Sequence, residues 1–329
     1  MLLAGDIGGT KTVLAVFSAE NPYTPVIKEK FSSGAYPNLE AIVQQFLNHH
    51  NVTIEAAAFG VAGPVVNGVS KITNLTWTID RAILQKTTGI EKITILNDLV
   101  ATANAIPVLG PEDLHTLSGG AAVADGTIAV IAPGTGLGEA FLTADNGHYT
   151  AHPSEGGHAS FSPSNAFETG LLSYLLPKFR GHVSTERVCS GTGIPNIYDY
   201  LRDIGFADEP QWFAEQLAKA GDRTPLIANN ALSDDPLPLC TETLERFASI
   251  LGAETGDLAL TFYATGGVYL GGGIPPRILP VLESKYFHRP FCNKGRFTEL
   301  MKNIPIHVIL NSRAALLGAA RAGWELLKR

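Results

Sequence analysis

The sequence predicts an α/β protein with mixed sheets, and three observations carry that prediction. Apolar strand segments alternate with segments of helical spacing along the 329 residues. Glycine, at 34 residues, exceeds the usual share of about 7%. Residues 2–17 and 128–143 share one grammar of apolar strand, Gly-Thr turn and apolar strand, with Gly9-Thr10 and Gly134-Thr135 as matching points. Two similar hairpins, each opening a half of the chain, suggest a duplicated domain that holds a ligand in a cleft.

The elements follow in order. LLAGDIG reads as a strand, GGTK as a turn and TVLAVFS as a second strand, so the chain opens as a β-hairpin. Leu39, Ile42, Val43, Phe46 and Leu47 give Leu39 to His50 helical spacing after a Pro-Asn start signal. EAAAFGVAG and KITILN are buried strands, and Asp98 to Ala105 continues as a helix toward Pro107. TIAVIAP, the GTGLG turn and EAFLTA form the second hairpin. From about Phe167 to Phe247 the chain is mainly helical with polar loops. Ala248 to Tyr263 is a long apolar helix, VYLGGGI a buried strand ending in glycines, and Ala314 to Leu327 a closing amphipathic helix.

Composition excludes several classes of function. Charged residues make up 17% of the chain, against a usual value of about 25%. A net charge of −7 argues against nucleic acid or an anionic membrane surface as partner, since both call for a basic field. The most apolar stretch, Leu258 to Ile274, holds five glycines and two threonines, which suits a helix followed by a strand rather than a membrane span. Cys189, Cys240 and Cys292 are far apart and never paired as CxxC, so they form neither a disulfide framework nor a zinc motif. MLLAGDIGGT has no basic n-region and turns polar at Asp6, unlike a signal peptide. The sequons at Asn51-Val52-Thr53 and Asn74-Leu75-Thr76 are then chance matches, and the expected setting is cytoplasmic.

Four motifs can carry chemistry. DIGGTK places glycines and the Thr10 hydroxyl in a turn just after Asp6. Glycine backbone can present its amides to a phosphate, and Asp6 is placed to hold magnesium through water. PGTGLGE is neither a Rossmann fingerprint nor a Walker A loop, because a strand follows it and no Lys-Ser or Lys-Thr does. It reads as a second phosphate-binding hairpin. ILNDL sets Asn97 and Asp98 where a strand ends and a helix begins. There an ionised aspartate can take a hydroxyl proton, although Asn and Asp are also common helix caps. SEGGHASF holds Glu155 and His158 around two glycines, and Glu186 precedes a further turn, SGTG. No GxSxG elbow supports covalent hydrolase chemistry.

Together GDIGGTK, GVAGPV, TNLTW, ILNDLVATANAIP, APGTGLG, PSEGGH, GHVSTERVCSG, TGGVYLGGGI and KGRF resemble the bacterial glucokinase family, in register from residue 4 to about 320. The resemblance implies the two-domain actin-like ATPase (ribonuclease H-like) fold of the sugar kinase superfamily, with the active-site cleft between domains. It implies a small domain of residues 1–107 plus 312–329 and a large domain of 108–311. The cleft would close on glucose to exclude water, with GVAGPV and TNLTW on its small-domain side.

The resemblance also assigns roles. Asp6, Gly8, Gly9, Thr10 and Lys11, Gly134, Thr135 and Gly136, and Gly272 and Gly273 fall on its ATP-binding segments, with Asp6 toward Mg2+. Asp98 matches the base that takes the proton from the glucose 6-hydroxyl. Asn97, Asp98, Glu155, His158 and Glu186 match residues that bind the sugar. A homodimer is expected. The related repressor/kinase (ROK) group carries a cysteine-rich zinc motif after its Glu-x-Gly-His loop. Here FSPSNAFETGLL follows, without cysteine, and a strand begins at Leu2 where a helix-turn-helix would stand. Zinc and DNA readings therefore lose. The rivals are a kinase for another hexose or an amino sugar, and a non-catalytic ATP switch like actin or the heat-shock chaperones.

Overall fold

The computed structural model describes residues 1–72 and 75–328. Thr73 and Asn74, which carry the start of the TNLTW motif and the second sequon, lie outside the described residues. The chain divides into two compact units. One comprises Met1–Leu114, His148–Pro153 and Asn311–Arg329, the other His115–Gly147 and Ser154–Leu310.

In the first unit, β1 (Leu2–Ile7), β2 (Lys11–Phe17), β3 (Ile27–Ser32), β4 (Ala56–Val61) and β8 (Lys92–Asn97) form a sheet ordered β3-β2-β1-β4-β8. β1 pairs antiparallel with β2, while β1, β4 and β8 run parallel. All six residues of β4 are buried, as a central parallel strand requires. A small sheet of β5 (Val65–Val66), β6 (Val69–Lys71) and β7 (Thr78–Asp80) follows the GVAGPV loop.

Helix α1 (Leu39–His50) buries Leu39, Ile42, Val43 and Phe46 on the predicted stripe. The Asn38 side chain caps it by accepting from the Ala41 amide at 2.9 Å, and Asn51 ends it in the left-handed conformation. Asp80 caps α2 (Arg81–Thr88) in the same way. Helix α3 (Asp98–Ala105) begins as β8 ends, and α12 (Ala314–Lys328) packs against it. The buried Arg321 of α12 donates to Asn104 Oδ1 at 3.0 Å and to the Tyr149 carbonyl at 2.8 Å, so the cation is hydrogen-bonded rather than orphaned.

The second unit contains β9 (Leu114–Ser118), β10 (Ile128–Pro133), β11 (Leu137–Asp145), β13 (Gly267–Leu270) and β14 (Ile306–Ile309), ordered β11-β10-β13-β14-β9, with β12 (His148–Ser154) following β11 in the chain. β10 and β11 are antiparallel, and β10, β13 and β14 are parallel. The order β2-β1-β4-β8 of the first sheet is thus matched by β11-β10-β13-β14 in the second. The Gly-Thr echo marks equivalent hairpins.

Helices α4 (Ala166–Leu175), α5 (Gly193–Asp203), α6 (Gln211–Lys219) and α7 (Thr224–Ala231) fill the predicted helical middle. Helix α8 runs Pro238–Thr261, ten residues further back than the apolar run suggests. Its first turns bury Leu239, Cys240 and Leu244 but carry Glu242, Glu245 and Arg246 outside that apolar side, which hides the helix from a search for continuous hydrophobicity. Short helices α9 (Leu279–Leu282), α10 (Lys285–Cys292) and α11 (Thr298–Lys302) precede β14. Among the described residues, no helix is long and apolar enough to cross a membrane.

Candidate active site

In the first unit the site residues gather at the carboxyl ends of parallel strands, where α/β proteins place ligands. Ile7, Val61 and Asn97 stand side by side at the ends of β1, β4 and β8. Asp6 is one residue back on β1, and Asp98 is the first residue of α3. The DIGGTK turn is closed by the Gly8 amide donating to the Lys11 carbonyl at 2.9 Å. Ser33 then donates to the Gly8 carbonyl at 2.8 Å and lies 3.0 Å from the Thr12 hydroxyl, which fixes the turn from behind.

Asn97 serves as the cap that the strand–helix junction requires. Its Oδ1 accepts from the amides of Leu99 and Val100, and its Nδ2 donates to the Gly63 carbonyl of GVAGPV at 3.2 Å. An amide nitrogen carries two protons, and a side-chain hydrogen bond also joins Asn97 to the Asp98 carboxyl. Asp98 Oδ1 accepts from the Leu99 amide at 2.8 Å. Burial pushes the Asp98 carboxyl above the ordinary aspartate range, the Leu99 hydrogen bond draws it back, and the charge of Asp6 pushes it up again. Burial also raises Asp6, with the Lys11 ammonium opposing. At ILNDL, Asn97 caps the helix and Asp98 keeps a carboxyl of raised basicity.

In the second unit the GTGLG turn joins β10 to β11. The Gly134 amide donates to the Gly136 carbonyl at 2.8 Å, and the Gly191 amide of SGTG donates to the Gly134 carbonyl at 2.7 Å. Glu186 Oε2 accepts from the Leu137 amide at 3.0 Å and fills the place a side chain at residue 136 would take. This sugar-ligand candidate is thus built into the phosphate turn. Glu155 and His158 face each other at 3.8 Å, with side chains 70% and 60% exposed. Gly272, at φ +82°, has its Cα so close to the Pro133 carbonyl that an added Cβ would lie 2.5 Å from it, so both backbone angle and packing demand glycine.

A cavity of about 940 Å3 opens beside this turn. Gly134, Thr135, Gly191 and Gly273 form one side. Ile194, Pro195, Ala228 and Ile274 supply apolar surface for a flat base, while Thr192, Asn196 and Asn229 supply polar groups. The 220–224 segment and Arg277 complete its wall. The sequence motifs mark Gly134, Thr135 and Gly273 of this cavity and the SGTG turn that holds Gly191, and miss Gly221 and most of the rest. The one available signal was the polar AGDRTP segment before a helix beginning Thr-Pro.

The glucokinase family model matches residues 3–325. The chain belongs to the glucokinase family. It is 42% identical to a glucokinase of Nostoc over 99% of both chains, and 35% identical to one of Salmonella heidelberg over 96% of this chain and 95% of the other. Among solved structures, a glucokinase from an Antarctic psychrotroph superposes with a TM-score of 0.86 at 29% identity, covering 98% of each chain. A ROK-family glucokinase from Streptomyces griseus shares the fold, with a TM-score of 0.64 at 20% identity and coverage of 98% of this chain and 99% of that one. Membership in the glucokinase family carries with it the actin-like architecture and the use of ATP.

The donor set fits a magnesium ion, which takes one or two carboxylates together with phosphate oxygens and water. Asp6, with Asp98 near enough to feel its charge, is of that type. Among the described residues, one group of three ligand-type side chains shares metal-binding distances. It consists of Glu29, His49 and His50, and Asp6 is not part of it.

Proposed function

We infer that this protein transfers the γ-phosphoryl group of ATP to the 6-hydroxyl of glucose, giving glucose 6-phosphate and ADP. The observation that carries the reading is Asp98, a partly buried carboxylate at the carboxyl end of the parallel strands in a chain of the glucokinase family. As the 6-oxygen bonds to the γ-phosphorus, the bond to the β,γ-bridging oxygen breaks and ADP leaves with its electrons. The hydroxyl proton passes to Asp98. The Leu99 amide holds Oδ1, the Asn97 side chain steadies the same carboxyl, and Oδ2 takes the proton. Raised basicity strengthens the base as long as the carboxyl stays ionised at the working pH.

The remaining roles follow from available donors and acceptors. Asn97, whose side chain also bonds Asp98, presents its amide to a sugar oxygen. Glu155, His158 and the second oxygen of Glu186 pair with further hydroxyls, so sugars lacking one are rejected. Gly8, Gly9, Thr10 and Lys11 on the first hairpin, and Gly134, Thr135 and Gly136 on the second, cradle the phosphates. Gly272 and Gly273 flank the base. Mg2+, held through Asp6, would neutralise phosphate charge during transfer. A cytoplasmic homodimer belongs to the same reading, and sedimentation checks its assembly.

A coupled assay for glucose 6-phosphate tests the proposal. Equal formation of ADP and glucose 6-phosphate, dependent on glucose, is expected. ATP turnover without sugar phosphate would favour a non-catalytic switch. Faster turnover of mannose, fructose or an amino sugar would move the substrate.

A further inference from the structure

Beneath the sugar and phosphate loops lies a pair of buried carboxyls that the reaction itself does not use. Glu139, on β11 directly after GTGLG, is 3% exposed and hydrogen-bonded to Glu254 of α8. Glu254 accepts from Glu139, which acts as the protonated partner, and from the side chain of the buried Thr185. Glu139 Oε1 has no hydrogen-bond partner among the described residues. An orphaned oxygen on an ionised carboxylate costs far more than the carbonyl oxygen of a neutral acid, so this geometry by itself favours a shared proton.

Three binding segments rest on the pair. Gly156 of PSEGGH lies so close that a Cβ there would fall 1.9 Å from Glu139 Oε2. Thr185 precedes Glu186, and its amide donates to the Ala159 carbonyl at 3.0 Å, tying the STER turn to the GGHA loop. Leu137, two residues before Glu139, gives its amide to Glu186.

We propose that Glu139 and Glu254 are positioning residues which, by sharing one proton, hold the Glu155–His158 loop and Glu186 in their glucose-binding arrangement. The proposal rests on the reading of Glu155, His158 and Glu186 as sugar ligands. Loss of the shared proton places two like charges in a closed site, and the loops above are the parts free to yield. The groups acting on the pair are Asp257, which adds negative charge near Glu254, Lys294, which offsets it, and the Cys189 thiol, kept neutral by burial and by the pair. Glu155, His158, Glu186 and Arg187 stand on the loops packed above. Burial, reinforced by the charge of Glu254, pushes Glu139 up to about 8, so the proton is lost on the alkaline side of neutrality.

Calorimetric glucose titration of the whole enzyme, paired with kcat and KM at about pH 7 and about pH 9, tests the idea. One pH unit above the midpoint about one molecule in eleven keeps the proton, so glucose affinity and KM should weaken by about tenfold. Glu139→Gln keeps a neutral donor to Glu254 at every pH and should bind glucose normally at pH 7, with that alkaline weakening abolished. An equal weakening in Glu139→Gln, or none in the wild type, overturns the proposal. Infrared spectra of the wild type give a readout independent of any variant's folding. A neutral carboxylic-acid carbonyl band present at about pH 7 and lost by about pH 9 is expected, and its absence at pH 7 also overturns the proposal. Unchanged glucose affinity in Glu155→Ala and His158→Ala would instead sink the sugar-ligand reading, so the two failures are distinguishable.

Discussion

Replacing Gly318 by alanine should disturb catalysis from a distance. A Cβ built at Gly318 on α12 falls 1.7 Å from the Ala101 carbonyl oxygen of α3 and 2.7 Å from the Ala105 nitrogen. Ordinary contact begins near 3.4 Å, so the two helices must part by more than an ångström. Both obstacles are backbone, and no side chain can rotate away. Alanine in a helix interior gains about 1 kcal/mol over glycine from intrinsic propensity. Overpacking costs about 1–3 kcal/mol and sometimes more, and a backbone clash lies at the upper end, so destabilisation wins. Because α3 carries Asp98 at its first position, a shift of about 1 Å there costs on the order of a hundredfold in rate. Thermal melts and the coupled assay should show a lower Tm together with a reduced kcat. Gly34→Ala, with nothing within 4 Å of its Cβ, is the control and should change neither. A Gly318→Ala protein with wild-type Tm and kcat would refute the reasoning.

Two further outcomes follow from the junction of β8 and α3. Asn97→Ala removes the cap and should cost about 1 kcal/mol of stability as well as glucose affinity, whereas Asn97→Asp restores the cap without the amide donor. Chemical denaturation should find that Asn97→Asp keeps the cap yet falls below wild type, because the Gly63 carbonyl loses its donor and a charge is added beside Asp98, while calorimetry finds its glucose binding weakened. The pH profile of kcat/KM for glucose should fall on its acid side at a pH above the ordinary aspartate value, because Asp98 must be ionised to act and burial raises it.

The parts of this fold legible in the sequence are those whose cause is local. Glycines after strands mark both hairpins, a Pro-Asn pair starts α1, and Asn97-Asp98 marks a strand–helix boundary, because turns and caps depend on neighbouring residues alone. What was not legible depends on contacts between distant segments. β3 alternates charge as IKEKFS and gives no core signal, although its Phe31 is buried. α2 is mostly exposed, with Leu84 its one fully buried residue, so its stripe is too thin to see. The cavity beside the GTGLG turn draws its far wall from α5, α7 and the 220–224 segment, which carry no motif. Glu139 and Glu254 read as ordinary acids among apolar neighbours, and only packing shows that they are buried together. At Glu186 the family resemblance implies a sugar ligand but not that one of its oxygens is already bonded to the GTGLG turn.

The central claim is that Asp98 accepts the proton of the attacking hydroxyl, and the turnover of Asp98→Asn tests it most directly. The substitution keeps the oxygen that accepts from Leu99 and leaves the Asn97 cap intact, so the fold should persist. The folded-state carboxyl is raised, so its ionised form weighs against folding once the pH passes that raised value. The neutral variant should therefore be at least as stable as wild type at neutral pH. Loss of a general base costs about 10²–10⁴-fold in rate. The kcat of Asp98→Asn should fall by that amount, with glucose still bound in calorimetry. A stable Asp98→Asn enzyme whose kcat stays within about tenfold of wild type, below the span of a general base, would contradict it.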